Sequence, residues 1–133
     1  MKKNQMVIET PSKFDFDKTV EMIISEAERR DWKVPAVHDL QQSLAKSGKT
    51  VKPVKVIEIC KPVYSGQMLE LNHERIMSVM MPCRISVYTK EDGKTYTALL
   101  NGAEMAAGQP VRISEVMKAA SDETFEIIGV VTG

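Results

Sequence analysis

The stretch "KEDGK" constrains the fold more than any other part of the sequence. It places Asp92-Gly93 between two runs of alternating side chains, which is the requirement of a two-residue type I′ β-hairpin turn. Centring the turn there makes Ile85 face Leu100. It also makes Val87 face Ala98, so that apolar side chains gather on one side of the hairpin. The sequence therefore predicts two antiparallel strands joined by this turn in this register.

Both cysteines stand at predicted strand ends. Cys60 ends the run "PVKVIEIC", and Cys83 follows Pro82 in "MMPCRI", at the head of the first hairpin strand. In the register given above, Cys83 falls beside Gly102 and points inward. If the strands that carry the two thiols are antiparallel neighbours, both thiols lie at the same end of the sheet. Such a pair suits a soft metal, a reversible disulfide or a persulfide, whereas packed cysteines are inert.

Two further strands and two helices are predicted in the first half of the chain. The strands cover residues 4–10 and 32–37, and Pro35 within the second favours an edge strand or a bulge. The first helix begins at Asp17 as its N-cap. The second is shorter, begins at Asp39 and ends at Gly48.

The second half adds two helices. "YSGQMLEL" predicts a short helix with Met68 and Leu69 directed inward, and "NHER" after it predicts a polar loop. An apolar stripe predicts a long helix over roughly residues 112–130. The residues that this helix is expected to bury against the sheet are Val116, Met117, Ala120 and Ile128. The stripe is wider than one contact surface needs, which favours partial burial in a dimer interface.

Composition narrows the class of protein. The 133 residues carry 18 basic and 18 acidic side chains, and this neutrality removes the simplest argument for nucleic acid or an anionic membrane as partner. No apolar run approaches the ~20 residues that span a bilayer, and "MKKNQMVIETP" lacks the apolar core of a signal peptide. Two cysteines are too few for a disulfide framework. We therefore expect a single α+β domain over residues 1–133 in the cytoplasm.

Two side chains besides the thiols are candidate ligands. His73, in "NHER", precedes Cys83 by ten residues and can return to the thiol end, and Met81 directly precedes Pro82. His73 and Met81 are therefore the predicted third ligands if a metal binds with Cys60 and Cys83. No Cys-x-x-Cys, G-x-S-x-G or phosphate-loop motif is present, so the sequence assigns no catalytic residue and no cofactor.

The run "VIEICKP" followed by "MMPCRISVYTKEDGK" resembles domain of unknown function family 302. The signature of that family is a Cys-Asn-Pro strand end, a Leu-Leu-Pro-Cys strand head and an Asp-Gly hairpin. The resemblance covers residues 14–100, although Lys61 stands where the family more often has asparagine. It implies a fold similar to that of TATA-binding protein, with the order β-α-β4-α, a curved antiparallel sheet and helices on one face. It also implies a homodimer, and it brings no established activity.

Three functions follow as hypotheses. The first is a dimeric binding module that holds a small apolar ligand or a soft metal near Cys60 and Cys83. Methionines 68, 77, 80 and 81 close to the thiols favour it, because methionine is soft and adaptable. The second is a thiol-dependent redox enzyme or sulfur carrier, with Cys83 exposed and Cys60 resolving. The third is a structural or regulatory dimer with packed thiols.

Overall fold

A computed structural model describes residues 5–133, which form one five-stranded antiparallel sheet with helices packed on it. The strands are β1 (Val7–Pro11), β2 (Lys33–Asp39), β3 (Val54–Cys60), β4 (Cys83–Thr89) and β5 (Thr95–Leu100). The α-helices are α1 (Phe16–Arg29), α2 (Leu40–Lys46), α3 (Pro62–Leu69), α4 (Gly102–Met105) and α5 (Val111–Thr132), and a 3-10 helix covers His73–Met80. The predicted α+β class and the predicted order of the main elements are confirmed.

The strand order in the sheet is β1-β5-β4-β3-β2, so β2 is an edge strand. Its pairing with β3 shifts between Lys33 and Ala36, around Pro35, which confirms the expectation of an edge strand or a bulge there. The core lies between the sheet and the two longest helices. Its fully buried side chains include Ile23 of α1, Ile57 and Ile85 of the central strands, and Ile127 of α5.

The predicted hairpin register is wrong by one residue. Ile85 pairs with Leu99 and not with Leu100. Lys90 N donates to Lys94 O to close a three-residue loop, and Gly93 N donates to Lys90 O within it. Such a loop takes a type I turn followed by a left-handed residue, and Gly93 supplies it with a φ of 78°. Asp92-Gly93 therefore forms part of a type I turn followed by a left-handed glycine, and not the predicted type I′ turn.

The slip reverses the two faces of β5 while those of β4 stay as predicted. Ile85 and Val87 are buried as expected, but Leu100 is 46% exposed. Val87 pairs with Thr97 instead of Ala98. Thr97 is tolerated inside because its hydroxyl donates to Thr10 O across the β1–β5 pair at 3.0 Å, which satisfies its polar atom.

The helix caps are partly as predicted. Asp39 caps α2 by accepting from Gln42 N at 2.9 Å, and Gly48 follows the helix with a positive φ of 82°. The N-cap of α1 is Asp15, whose carboxylate accepts from Lys18 N at 2.8 Å, and not Asp17, which lies inside the first turn. The helix therefore starts two residues earlier than the predicted N-cap at Asp17 implied. The predicted start of β1 at residue 4 lies outside the described residues.

The second half differs from expectation in three details. Met68 is buried as predicted, but Leu69 lies at the surface. The "NHER" segment begins the 3-10 helix and is not a loop, and α4 was not predicted. The long C-terminal helix is confirmed, and among the described residues no helix is both long and apolar enough to cross a membrane.

Gly102 allows α4 to begin directly against α5. A Cβ added there would stand 2.9 Å from Ser121 Cβ and 3.2 Å from Met117 O. Replacing Gly102 with alanine is therefore expected to lower the free energy of unfolding by roughly 1–3 kcal/mol, measured by urea denaturation. The matched control is Gly129→Ala within α5, where an added Cβ meets nothing within 4 Å and a small stabilisation is expected. Equal effects of both substitutions would contradict the close contact.

Candidate functional site

A cavity of about 180 Å³ lies at the end of the sheet where β3 ends and β4 begins. The sheet contributes Ile59, Cys83 and Leu99 to its wall, and α5 contributes Val116 and Ala120. Helix α3, the 3-10 helix and α4 contribute further parts of the wall, and the cavity is partly open. The cavity is therefore formed by the connection between two paired strands as it crosses the face of α5.

Methionines dominate this wall. Six of the nine methionines in the chain contribute to it: Met68, Met77, Met80, Met81, Met105 and Met117. Met68 is only 3% exposed, and Met77, Met81 and Met117 pack against the small cluster that it forms with Ile113 and Val116. Because methionine has three rotatable bonds and a polarisable sulfur, a wall of this kind adapts to the shape of an apolar guest.

Most polar side chains of the wall are already paired within the protein. Ser121 Oγ accepts from Gly102 N at 3.2 Å, and Thr124 Oγ1 donates to Ser121 O at 2.7 Å. Ser65 Oγ donates to Lys61 O at 3.5 Å. Within residues 5–133, no buried side-chain nitrogen or oxygen lacks a hydrogen-bond partner. Arg84 also lines the cavity; it is exposed, and within residues 5–133 its guanidinium forms no hydrogen bond or ion pair. Apart from Arg84, these polar side chains do not require a polar or charged guest.

A polar cluster around Glu123 joins α3 and α5 beside the cavity. The Glu123 carboxylate accepts hydrogen bonds from Trp32 Nε1 at 3.0 Å, from Lys61 Nζ at 3.0 Å and from the Tyr64 hydroxyl. Trp32 is buried, and its ring centroid lies 6.0 Å from that of Tyr64. The donors Trp32, Lys61 and Tyr64 line the cavity, so the cluster fixes one side of the wall.

The ionisation of this cluster follows from its contacts. Burial by itself raises the pKa of Glu123, but the hydrogen bonds from Tyr64, Trp32 and Lys61 outweigh it, and the net pKa is lowered. The hydrogen bond to Glu123 and burial raise the pKa of Tyr64 to about 12. At neutral pH the cluster therefore holds an ionised carboxylate and a protonated phenol.

The structure places both thiols at the same end of the sheet, as predicted. Strands β3 and β4 pair antiparallel with Ile59 opposite Cys83, so Cys60 is one residue beyond that pair. Both thiols are free, both are partly buried, and both contribute to the cavity wall. The Cys60 sulfur also lies 3.6 Å from Ser65 Oγ.

The electrostatics of Cys83 do not favour a reactive thiolate. Burial, together with the neighbouring Cys60, raises the pKa of the Cys83 thiol above its usual value. An activated nucleophile requires the opposite shift, because the thiolate is the reactive form. Cys83 is also not the exposed partner that the redox hypothesis assumed, since it packs against the main core.

The other two predicted ligands have different positions. Met81 contributes to the cavity wall together with the thiols, whereas His73 is exposed at the start of the 3-10 helix and does not line the cavity. Within the described part of the chain, no three His, Cys, Asp or Glu side chains come together as a metal site. The structure therefore brings Cys60, Cys83 and Met81 together and leaves His73 outside.

We expect slow thiol labelling of the native protein at neutral pH. Burial keeps Cys83 protonated and covered, so a thiol reagent should modify it at an appreciable rate only in denaturant. The measurement is the labelling rate of each cysteine by mass spectrometry, with Cys60→Ser and Cys83→Ser variants to assign the two signals. Fast labelling of Cys83 in the native protein would restore the redox hypothesis.

Sequence reasoning missed the Glu123 cluster and two of the six methionines, Met105 and Met117, as parts of a site. A signal was present for Glu123, because it follows Ala120 by three residues and so lies at the border of the apolar stripe of α5. A carboxylate at such a position needs a buried partner. Nothing in the sequence identifies that partner, because Trp32, Lys61 and Tyr64 come from other elements.

The chain folds as an α+β protein, with an antiparallel sheet covered by helices. The apolar cavity at one end of the sheet is its candidate small-molecule site. The chain belongs to the family described as Domain of unknown function DUF302, whose sequence profile matches residues 8–129.

The fold is shared with a solved structure. The crystal structure of an uncharacterized conserved DUF302 protein from Bacillus stearothermophilus superimposes with a TM-score of 0.85 at 14% sequence identity. The match covers 96% of this chain and 98% of that chain. No curated protein matches the sequence. At this identity the similarity shows the fold and brings no activity with it.

Proposed function

We propose that the protein is a binding domain for a small, uncharged, apolar molecule, held in the methionine-lined cavity between β3, β4 and α5. The observation that carries this proposal is the combination of a mostly apolar wall with polar side chains that, apart from the exposed Arg84, are already paired inside the protein. A cation would lose its hydration in such a site without gaining a partner, and an anion would find only the solvent-exposed Arg84 as an unpaired cation. An apolar guest, in contrast, gains free energy from burial.

The size of the cavity supports a guest of about one ring. An engineered protein cavity of about 150 Å³ lined by aliphatic and aromatic residues stays dry and binds benzene. The cavity here, at about 180 Å³, is slightly larger and well below the space that drug-sized ligands occupy. A single aromatic ring or a short branched aliphatic chain is therefore the best fit, and methionine sulfurs contact aromatic rings favourably.

A soft metal is the weaker occupant of the same cavity. Cys60, Cys83 and Met81 line it, and thiolates and thioethers are suitable ligands for soft metals. However, a raised pKa keeps the Cys83 thiol protonated, and a thiol must lose its proton to bind a metal. The apolar guest requires no such change, so we favour it over both the metal and the redox alternatives.

The proposal is tested with three probes of nearly the same size: toluene, benzoate and benzylammonium. Their dissociation constants are measured by isothermal titration calorimetry at neutral pH. We expect toluene to bind at least about tenfold more tightly than either ion, because benzylammonium leaves its charge without a partner and benzoate gives up its hydration for a solvent-screened contact with the exposed Arg84. Equal binding of all three probes, tighter binding of an ion, or no binding of toluene would contradict the proposal.

The proposal also includes the expectations of a cytoplasmic protein and a homodimer, which rest on composition, on the stripe of α5 and on the family resemblance. The dimer is tested by sedimentation velocity at micromolar concentration. We expect a species of twice the chain mass of 14.9 kDa. A monomer under these conditions would remove the dimer from the proposal and leave the cavity unaffected.

A further inference from the structure

The 3-10 helix His73–Met80 is unusual for its length. It runs for eight residues, whereas 3-10 helices longer than three or four residues are uncommon because their hydrogen bonds are poorer than those of α-helices. It follows α3 after three residues, in the connection that lines the cavity. Within helices, 3-10 stretches often mark hinges or strained sequences. This segment therefore stands where a change of winding would alter access to the cavity.

The 3-10 winding of His73–Met80 leaves apolar side chains exposed to solvent. Burial along the segment repeats every third residue, with Glu74, Met77 and Met80 partly buried and the residues between them exposed. Ile76 is 75% exposed and Val79 is 80% exposed, the two highest values among the large apolar side chains of the described residues. The 3-10 winding thus places Met77 and Met80 in the cavity wall, while Ile76 faces solvent and Val79, which also borders the cavity, is largely exposed.

An α-helical winding of the same residues would bury more apolar surface. Around a 3-10 helix Met80 lies about 120° from Ile76, whereas around an α-helix it lies about 40° away. Ile76, Met77 and Met80 would then share one face. Rewinding would also shorten the eight residues by about 4 Å, because the rise per residue falls from about 2.0 Å to about 1.5 Å. The shortened segment would uncover part of the cavity.

Few contacts oppose such a change. Among the described elements the segment packs mainly against α3, and Arg75 donates a hydrogen bond to Leu69 O at 2.8 Å at that junction. Within residues 5–133, no side chain of the segment hydrogen-bonds to a strand of the sheet. The segment is therefore attached to the rest of the protein chiefly through its methionines and through α3.

We propose that the segment His73–Met80 is the lid of the cavity, and that a bound guest converts it from a 3-10 helix to an α-helix that turns Ile76 toward the methionines. This inference rests on the proposed function, because it assigns a second state to the wall of the same cavity. It regulates access to the site: the 3-10 winding covers part of the cavity, and the α-helical winding opens a wider path to it and places Ile76 beside the guest.

The test uses Ile76→Ser, with Val111→Ser as the matched control. Ile76 and Val111 are 75% and 72% exposed, and Val111, at the start of α5, does not line the cavity. In the 3-10 state neither substitution removes much buried surface. If the guest-bound state buries Ile76, Ile76→Ser weakens toluene binding about tenfold, whereas Val111→Ser leaves it unchanged. Both dissociation constants are measured by calorimetry.

A second readout reports the winding itself. Nuclear Overhauser contacts between residues four apart within 73–80 are expected to appear in the toluene-saturated wild-type protein, because only α-helical winding brings these residues together. Toluene binding that is equal in wild type and Ile76→Ser, or an unchanged pattern of contacts on saturation, would overturn the lid and leave the proposed function intact. Absence of toluene binding to the wild type would overturn both.

Discussion

Replacing Glu123 with alanine is expected to lower the free energy of unfolding by about 3 kcal/mol, which corresponds to a fall in Tm of about 10 °C for a chain of this size. The substitution removes the common acceptor of Trp32, Lys61 and Tyr64. Trp32 is almost fully buried, so its indole N–H would be left without a partner in an apolar environment. The measurement is urea or thermal denaturation at pH 7.

The matched control is Glu126→Ala, on the same helix. Glu126 forms an ion pair with Arg30 at 2.6 Å, but its side chain is 57% exposed, so its loss is expected to cost no more than about 1 kcal/mol. Glu123→Gln should fall between the two, because the amide keeps an acceptor oxygen and loses the charge. Similar losses for Glu123→Ala and Glu126→Ala would contradict the structural role of the cluster.

The effect of Glu123 depends on pH with a definite sign. The pKa of Glu123 is lower in the folded protein than in the unfolded chain, where the pKa of a glutamate is about 4.3. Between the two values the unfolded state binds more protons, so the stabilisation is fully present above the unfolded pKa and is lost as pH falls through the folded one. The difference between wild type and Glu123→Ala should therefore be constant above about pH 5.5 and shrink below it. A difference that grows in acid would contradict this assignment.

Filling the cavity is expected to abolish binding without unfolding the protein. Ala120 lies on the cavity-facing side of α5, and Ala120→Leu adds three carbon atoms to a space of about 180 Å³. The added side chain occupies much of the volume that a single ring needs, so we expect toluene affinity to fall at least about thirtyfold. Calorimetry measures the affinity, and circular dichroism verifies that the fold is kept.

The control for this substitution is Ala45→Leu, an exposed position on α2 that does not line the cavity. It adds the same atoms and should leave toluene binding unchanged. Retained binding in a folded Ala120→Leu variant would place the guest elsewhere. Because this outcome depends only on where the ligand sits, it is independent of the winding of the lid.

Local sequence patterns predicted those features that local interactions determine. The edge position of β2 follows from Pro35, and the cap of α2 follows from the spacing of Asp39 and Gly48. The position of Cys60 and Cys83 at one end of the sheet follows from two strand ends and one antiparallel pairing. Each of these conclusions needs only a few neighbouring residues and a general rule of backbone geometry.

Local sequence patterns did not determine the register of the hairpin formed by β4 and β5. Asp92-Gly93 satisfies a two-residue type I′ turn and also a three-residue loop with Gly93 in the left-handed region, and the two differ by one residue in register. Both faces of β5 carry apolar side chains, so hydrophobicity did not separate them. The observed register depends on Thr97, whose hydroxyl finds an acceptor on β1, a strand distant in sequence.

The composition of the cavity wall was harder to predict than the hairpin register, because it depends on tertiary structure. Methionine spacing drew attention to the connection between β3 and β4, but Met105 and Met117 reach the same wall from α4 and α5. Glu123 meets Trp32 and Tyr64 only after the helices have packed. His73 was expected near the thiols because it is close in sequence, but the 3-10 helix holds it at the surface.

The most direct test of the account is a titration of the protein, labelled with 13C at its methionine methyl groups, with toluene. The signals of the six methionines of the cavity wall should shift together and saturably, because an aromatic ring displaces the resonances of nearby methyl groups. Met6 and Met22, which do not line the cavity, should keep their positions and serve as internal controls. Shifts confined to the six wall methionines are the predicted result. Shifts of Met22 as large as those of Met68, or no saturable shift at all, would contradict the assignment of this cavity as the binding site.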